Sequence, residues 1–410
     1  MTEFFPYEHL TWPEIAELPR DTPLIIPLGE GYPLDKLAEA LSNPNRAGIL
    51  PPIPYGWRGS DRVEYNGVVL NAALAVPSTA LPEPLLAAYL SNLLDSLRDD
   101  GFTRVYALTP PGIFQPNHFT FPDAHITLRV NESANTEYAI RNTQYDSSAR
   151  NKIVLIPIGH TEQHGYHLPM NTDTLIINAI AQGTVQAAPD EVIALPAFPY
   201  GVSTHRSSFA GTLNAGGRAF EDFWLAAIDS WVAQGFDKFY LISGHGGNCS
   251  FLVQVVKYAG ERHRRIFAAT AWLHTSDRIG IEAITKTRKS AIGGMGHAGE
   301  LETSMILHLR PDLVHLERCV DEIDFIATPS YLMDWVEGGA LVANPPWDDD
   351  TATGAYGAGS VATAENGKLW LEAAIAEKVD HVRQIHEQHR RREERRNAGF
   401  GLWGGEKVYK

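Results

Sequence analysis

The sequence predicts an α/β protein built on a doubly wound, mostly parallel sheet, preceded by a degenerate N-terminal repeat of the same type. Three observations predict it: short apolar runs alternate with longer amphipathic ones, loops dense in His, Glu and Asp follow those runs, and the first third of the chain repeats the middle. A chain of 410 residues that is 44% hydrophobic has enough material for a large core. Its formal net charge of −15 argues against gripping phosphate backbones, so the expected partner is a small-molecule substrate and not nucleic acid. Two cysteines, Cys249 and Cys319, cannot form a disulfide framework and lack the paired spacing of a structural zinc site. The start at Met1 shows no basic stretch leading into an apolar one, and no run approaches the roughly 20 apolar residues of a membrane span. A cytoplasmic protein with no membrane association is expected.

Taken in chain order, Leu24 to Gly29 (LIIPLG) parallels Val154 to Gly159 (VLIPIG), and Leu50 to Gly56 (LPPIPYG) parallels Leu195 to Gly201 (LPAFPYG). Gly101-Phe102 and Tyr106 then follow in the same order as Gly235-Phe236 and Tyr240. The first copy carries Glu30-Gly31-Tyr32-Pro33 where the second has its polar loop, and Pro110-Pro111 where the second has Gly244-His245. Residues 1–125 are therefore expected to be non-catalytic, 126–150 a connection, 151–385 the catalytic domain and 386–410 a polar tail. In the second copy Ile153 to Ile158 (IVLIPI) reads as a buried strand, Thr174 to Ala188 and Phe223 to Gln234 as helices, and Lys238 to Ile242 as the next strand. A third helix starts near Cys249. The run Arg390 to Arg396, interleaved with glutamates, reads as a solvated face of a long C-terminal helix.

Three segments carry chemistry. Gly159 to Asp173 (GHTEQHGYHLPMNTD) crowds two carboxylates and three histidines into one loop, a donor set that suits Zn, Mn or Fe. Following a strand, it would lie at the carboxyl edge of a parallel sheet, where open α/β folds place ligands. A purely structural reading has Asp173 capping the helix that begins at Thr174. Ser243 to Asn248 sets His245 among glycines, and Gly246 and Gly247 would let a substrate approach the backbone. A phosphate cradle is the competing reading, weakened by the missing lysine. In Gly296 to Ser304 (GHAGELETS) the spacing puts His297 and Glu300 on one helix face and Glu302 elsewhere, with one of the two glutamates merely solvated.

Together these segments resemble the creatininase (creatinine amidohydrolase) family. The resemblance rests on Glu162-Gln163-His164-Gly165, His167-Leu168-Pro169 and Asp173, on Gly244-His245, and on His297-Ala298-Gly299 leading into Glu302-Thr303-Ser304. Tyr200-Gly201-Val202-Ser203, His205, Phe209 and Gly211-Thr212 resemble its substrate-side stretch. The resemblance implies two divalent metal ions per active site, with Glu162 and His245 on one, His164 on the other and Asp173 bridging. The creatinine-specific pattern has a Tyr-Glu pair where this chain has Gly246 and Gly247, so creatinine is a poor substrate candidate, and Glu302 is the carboxylate available to replace that ligand. The Gly-Gly version is more similar to the family's formamide deformylases and peptide-processing members.

The expected reaction is hydrolysis of a non-peptide C–N bond, in a cyclic amide or formamide, by metal-activated water. His297 or Glu302 would deliver the proton to the leaving nitrogen, and Ser203 or His205 would orient the substrate. A homo-oligomer is expected, as the family tends to form. The rival expectations are a peptidase or lactonase on the same centre, a non-catalytic metal- or ligand-binding protein, and nucleotide binding through Gly244 to Asn248.

Overall fold

The computed structural model describes residues 1–29, 32, 34–57, 64–65, 68–69, 81–108, 147–204 and 208–399. The expectations for His205, for Pro110-Pro111, for most of the loop after Gly29, for nearly all of 126–150 and for the tail past 399 lie outside these residues.

Two four-stranded sheets organise the chain. The first contains β1 (Glu3–Pro6), β2 (Leu24–Pro27), β3 (Arg46–Ile49) and β4 (Val105–Leu108) in the order β1-β3-β2-β4. The second contains β5 (Ile153–Ile158), β6 (Val192–Ala194), β7 (Lys238–Ser243) and β8 (Phe267–Thr270) in the order β8-β7-β5-β6. Every strand pairing within both sheets is parallel, as the sequence predicts. The longer helices are α1 (Glu83–Asp99), α2 (Thr172–Ala187), α3 (Gly217–Ala233), α4 (Gly246–Arg262), α5 (Arg278–Thr287), α6 (Glu300–Leu309) and α7 (Ala364–Asn397), with short helices at Trp12–Ala16, Leu34–Ala40 and Ser147–Arg150. Among the described residues no helix is long and apolar enough to cross a membrane.

The continuous apolar run of β5 has a simple cause: it is buried on both faces. Val154, Ile156 and Ile158 enter a core shared with Leu24, Ile26 and Leu28 of the first sheet. Ile153 and Leu155 enter a second core with Ile176 and Ile180 of α2, Met305 of α6 and Trp370 of α7. The period of two in side-chain direction splits one strand between two cores. Helices α1 and α3 close the shared core, and Tyr89 OH donates to Tyr200 O at 3.0 Å while Asn92 Nδ2 donates to Ala215 O at 2.6 Å.

The two sheets also match in detail. Strands β3-β2-β4 run in the same order as β6-β5-β7. Gly29 N–H donates to Ile53 O as Gly159 N–H does to Phe198 O, and Ile53 N–H to Pro27 O as Phe198 N–H does to Pro157 O.

Helix α3 starts before the expected Phe223, at Gly217, because its first turn buries Phe220. Helix α4 starts at Gly246 and not near Cys249, so the glycines that read as loop form its first turn. Helix α7 buries positions from Gly367 to Ile385, and beyond them Arg390 and Arg391 pair with Glu387. For function the decisive feature is that β5 and β7 are adjacent and parallel. The loops leaving their carboxyl ends, at Gly159 and Gly244, therefore lie side by side.

Candidate metal centre

Glu162, His164, Asp173, His245, His297 and Glu302 come from three distant segments and are all buried together. Asp173 lies in the first turn of α2, but Asn171 is the N-cap and makes no side-chain capping bond. Its carboxylate instead spans two histidines, with Oδ1 at 3.1 Å from His164 Nε2 and Oδ2 at 3.2 Å from His245 Nδ1. Glu162 Oε2 lies 2.7 Å from the same His245 Nδ1.

The far side of each ring fixes its tautomer. His164 Nδ1 donates to Glu162 O at 3.0 Å, and His245 Nε2 donates to Val202 O at 2.9 Å. Each latch leaves the other ring nitrogen as the lone-pair atom, and both of these face carboxylate oxygens. A lone pair held against a carboxylate needs positive charge between them, supplied by a proton or a metal cation. With protons there, burial lowers the pKa of His164, but Asp173, Glu302 and Glu162 outweigh it and bring it to about 9. His245 is likewise raised against burial by Glu162 and Asp173. Burial also works against the Asp173 carboxylate, and the two imidazoles outweigh it to hold the group well below the usual range.

The third segment corrects the helix-face expectation. Helix α6 begins at Glu300, so His297 precedes it in a turn whose Ala298 has φ +53°, and helical spacing does not apply to the pair. Neither glutamate is solvated. Glu300 accepts from the N–H groups of Lys289 and Ser290 and is structural. Glu302 is the one that joins His297: its Oε2 accepts from Ala298 N–H at 2.7 Å and lies 3.8 Å from His164 Nε2. His297 Nε2 donates to Gln163 O at 2.7 Å, and its ring lies 4.2 Å from that of His164 and 4.9 Å from Trp347. Among the described residues, two sets of three carry donor atoms close enough to hold an ion: His160, Glu162 and His245, and His164, His297 and Glu302.

The sequence reading counted His160 among the three histidines of its loop without assigning it a role, and did not single out His274. His160 Nδ1 accepts from Gly201 N–H at 2.8 Å, and its ring lies 4.4 Å from that of His245. His274 is buried with Nε2 at 3.8 Å from Glu302 Oε1. The signal for it was its place just past β8, at the same sheet edge as the other two loops. Leu273 beside it has φ +47°, so non-glycine residues in the left-handed region adjoin both His274 and His297.

Ser203 Oγ lies 3.5 Å from Glu162 Oε1. Gly246 lies under the Trp335 ring, where a Cβ would approach it to 3.2 Å. Gly247 is committed to packing: a Cβ there would stand 2.3 Å from Val202 O and 2.4 Å from His245 Nε2. A Cβ on Gly244 would stand 2.3 Å from Asp173 O. Protein carbonyls occupy the space that a phosphate cradle would need, which disfavours the nucleotide reading.

The Creatininase family, described as creatinine amidohydrolase, matches residues 139–382. A mycofactocin precursor peptide peptidase from Mycobacterium tuberculosis is 31% identical over 238 residues, which cover 56% of this chain and 84% of that protein. The corresponding protein of Mycobacterium ulcerans is 33% identical over 173 residues, 40% of this chain and 61% of its own length. A creatinine amidohydrolase from Pseudomonas putida is 26% identical over 245 residues, covering 57% of this chain and 89% of that one. A solved structure of creatininase with Mn has 24% identity and a TM-score of 0.49, covering 57% of this chain and 91% of that one.

Proposed function

The chain belongs to the creatininase family, and from that premise we propose that it hydrolyses a non-peptide C–N bond, in a cyclic amide or a formamide, with two divalent cations. The observation that carries this reading is the pair of latched histidines whose free lone pairs face the two oxygens of Asp173. In the proposed assignment Glu162 and His245 would hold one cation and His164 and Glu302 the other, with Asp173 available to both. The imidazole and carboxylate donors fit Zn, Mn or Fe. Bound there, the cations would supply Lewis acidity, polarising the carbonyl and acidifying water.

The protein's own residues do the rest. Val202 O and Glu162 O keep the histidine lone pairs aimed inward, and Ala298 N–H holds Glu302 in place. Burial, the largest cause, lowers the pKa of His297 to about 4, so this ring is neutral at pH 7. With Nε2–H given to Gln163 O, its basic atom is Nδ1. Water adds its oxygen to the carbonyl carbon, His297 takes the released proton at Nδ1, and the C–N bond breaks as that proton passes to the leaving nitrogen. An amide requires this delivery, because an unprotonated amine leaves poorly. Ser203 steadies Glu162, and Gly246 lies on the substrate side beneath Trp335.

The test is elemental analysis of protein purified without chelator, together with release of amine or formate from cyclic amides and formamides. About two divalent ions per chain, lost in Asp173→Ala along with activity, is the expected result. Absence of bound metal, with no activity gained from added Zn, Mn or Fe, overturns it. A second reading, peptide processing on the same centre, is favoured by the mycofactocin peptidases among the relatives and by Gly246-Gly247. Cleavage of peptides in preference to small amides would establish it. The proposal extends to the chain as a whole: residues 1–125 form a non-catalytic copy, supported by the matched strand order and backbone bonds, and the protein acts as a homo-oligomer.

A further inference from the structure

The ring of His274 is fully buried, and among the described residues neither of its nitrogens has a hydrogen-bond partner. Packing alone does not account for a histidine there, since an aromatic hydrocarbon fills the same space without leaving a donor and an acceptor unmet. The backbone that presents the ring is also constrained. Leu273 before it sits at φ +47°, and after it Ser276, Asp277 and Gly280 donate their N–H groups to the Glu377 carboxylate. What the ring faces is Glu302. Nε2 lies 3.8 Å from Oε1, while the other oxygen, Oε2, accepts from Ala298 N–H at 2.7 Å and stands 3.8 Å from His164 Nε2. Among the described residues, His274 belongs to neither of the two donor sets that could hold an ion.

We propose that His274 is a positioning residue for the metal centre: its Nε2–H holds Glu302 Oε1, so that Glu302 turns a single oxygen, Oε2, toward His164 and the cation they would share. This role rests on the two-cation reading of the site proposed above. The direction of the bond follows from charge, because a ring lone pair turned on a carboxylate is repelled and an N–H is attracted. The separation of 3.8 Å exceeds a charge-assisted hydrogen bond by about 1 Å. Rotation of the carboxylate about its soft terminal torsion closes that gap. With Oε1 on His274 and Oε2 on Ala298 N–H, Glu302 loses the freedom to swing or to clasp a cation with both oxygens. A one-point carboxylate leaves a coordination position for water or a carbonyl oxygen, which a two-point one would fill. The unmet ring nitrogens thus serve metal binding at the expense of the metal-free fold.

The experiment is competition of the metal-free full chain against a chromogenic chelator for Zn, in wild type, His274→Phe and His274→Gln, with denaturant melts of the same metal-free proteins. His274→Phe keeps an aromatic ring and removes the donor, and one of the two Zn ions is expected to bind about 10- to 100-fold more weakly. The same metal-free variant is expected to melt at or above the wild-type midpoint, because two unmet polar atoms leave the interior. His274→Gln, whose side-chain N–H reaches toward Oε1, is expected to bind Zn closer to wild type than to the Phe variant. Equal Zn affinity in wild type and His274→Phe overturns the proposal, as does a Gln variant no better than Phe. A lowered midpoint of the metal-free Phe variant also overturns it, since damage to the fold then accounts for weaker binding. A wild type that binds no Zn is a different failure: it removes the two-cation reading, and this role for His274 with it.

Discussion

A carboxylate buried as deeply as Asp173 is stable only beside compensating positive charge, and this one has an imidazole on each oxygen. Asp173→Asn keeps the shape and removes the charge, so metal content should fall and activity should drop by at least about 100-fold. Elemental analysis and turnover on one preparation check both. Glu8 shows the opposite case, since burial outweighs the hydrogen bond from its own backbone N–H and raises its pKa from 4.5 to about 7. A carboxyl whose folded pKa exceeds its unfolded value contributes stability that is full below pH 4.5 and lost as pH rises through about 7. Glu8→Gln should therefore be more stable than wild type at pH 8 by roughly 3 kcal/mol and flat across that window, as denaturant melts at several pH values will show. Glu162, His164, Asp173 and His245 were legible in the sequence because short loops concentrate them. His274 was not, because a lone histidine has no spacing to announce it.

At the scale of elements, the first turn of α4 is built around the His245 latch. Gly247→Ala would push a methyl group against Val202 O and His245 Nε2. The expected cost is about 1–3 kcal/mol, with metal affinity lost ahead of the fold, measurable by titrating metal into the apo variant. The segment that carries His274 depends on a different element. Glu377 of α7 accepts from the N–H groups of Ser276, Asp277 and Gly280, and Lys378 Nζ pairs with it at 2.8 Å in a buried site. Lys378→Met removes one partner of that pair and should cost about 3 kcal/mol, read as a lower denaturant midpoint at an unchanged slope. The strands were legible as apolar runs, whereas the turn before α6 was not: Ala298 adopts φ +53°, a conformation that its residue type does not advertise.

At the scale of the whole molecule, both sheets bury side chains in one core, so neither half has a complete interior of its own. Calorimetry should show a single cooperative transition, and a chain beginning at residue 147 should aggregate, since it would expose Val154, Ile156, Phe198 and Trp224. Two separate transitions, or a soluble fragment, would contradict this. The sequence by itself determined the parallel α/β class and the family, because side-chain periodicity and ligand spacing are local properties of the chain. Only the tertiary structure decided that Glu302 and not Glu300 meets His297, that His274 stands beside Glu302, and that Gly247 serves packing. Each of these depends on where separate segments meet in space, and a linear pattern carries no record of those distances.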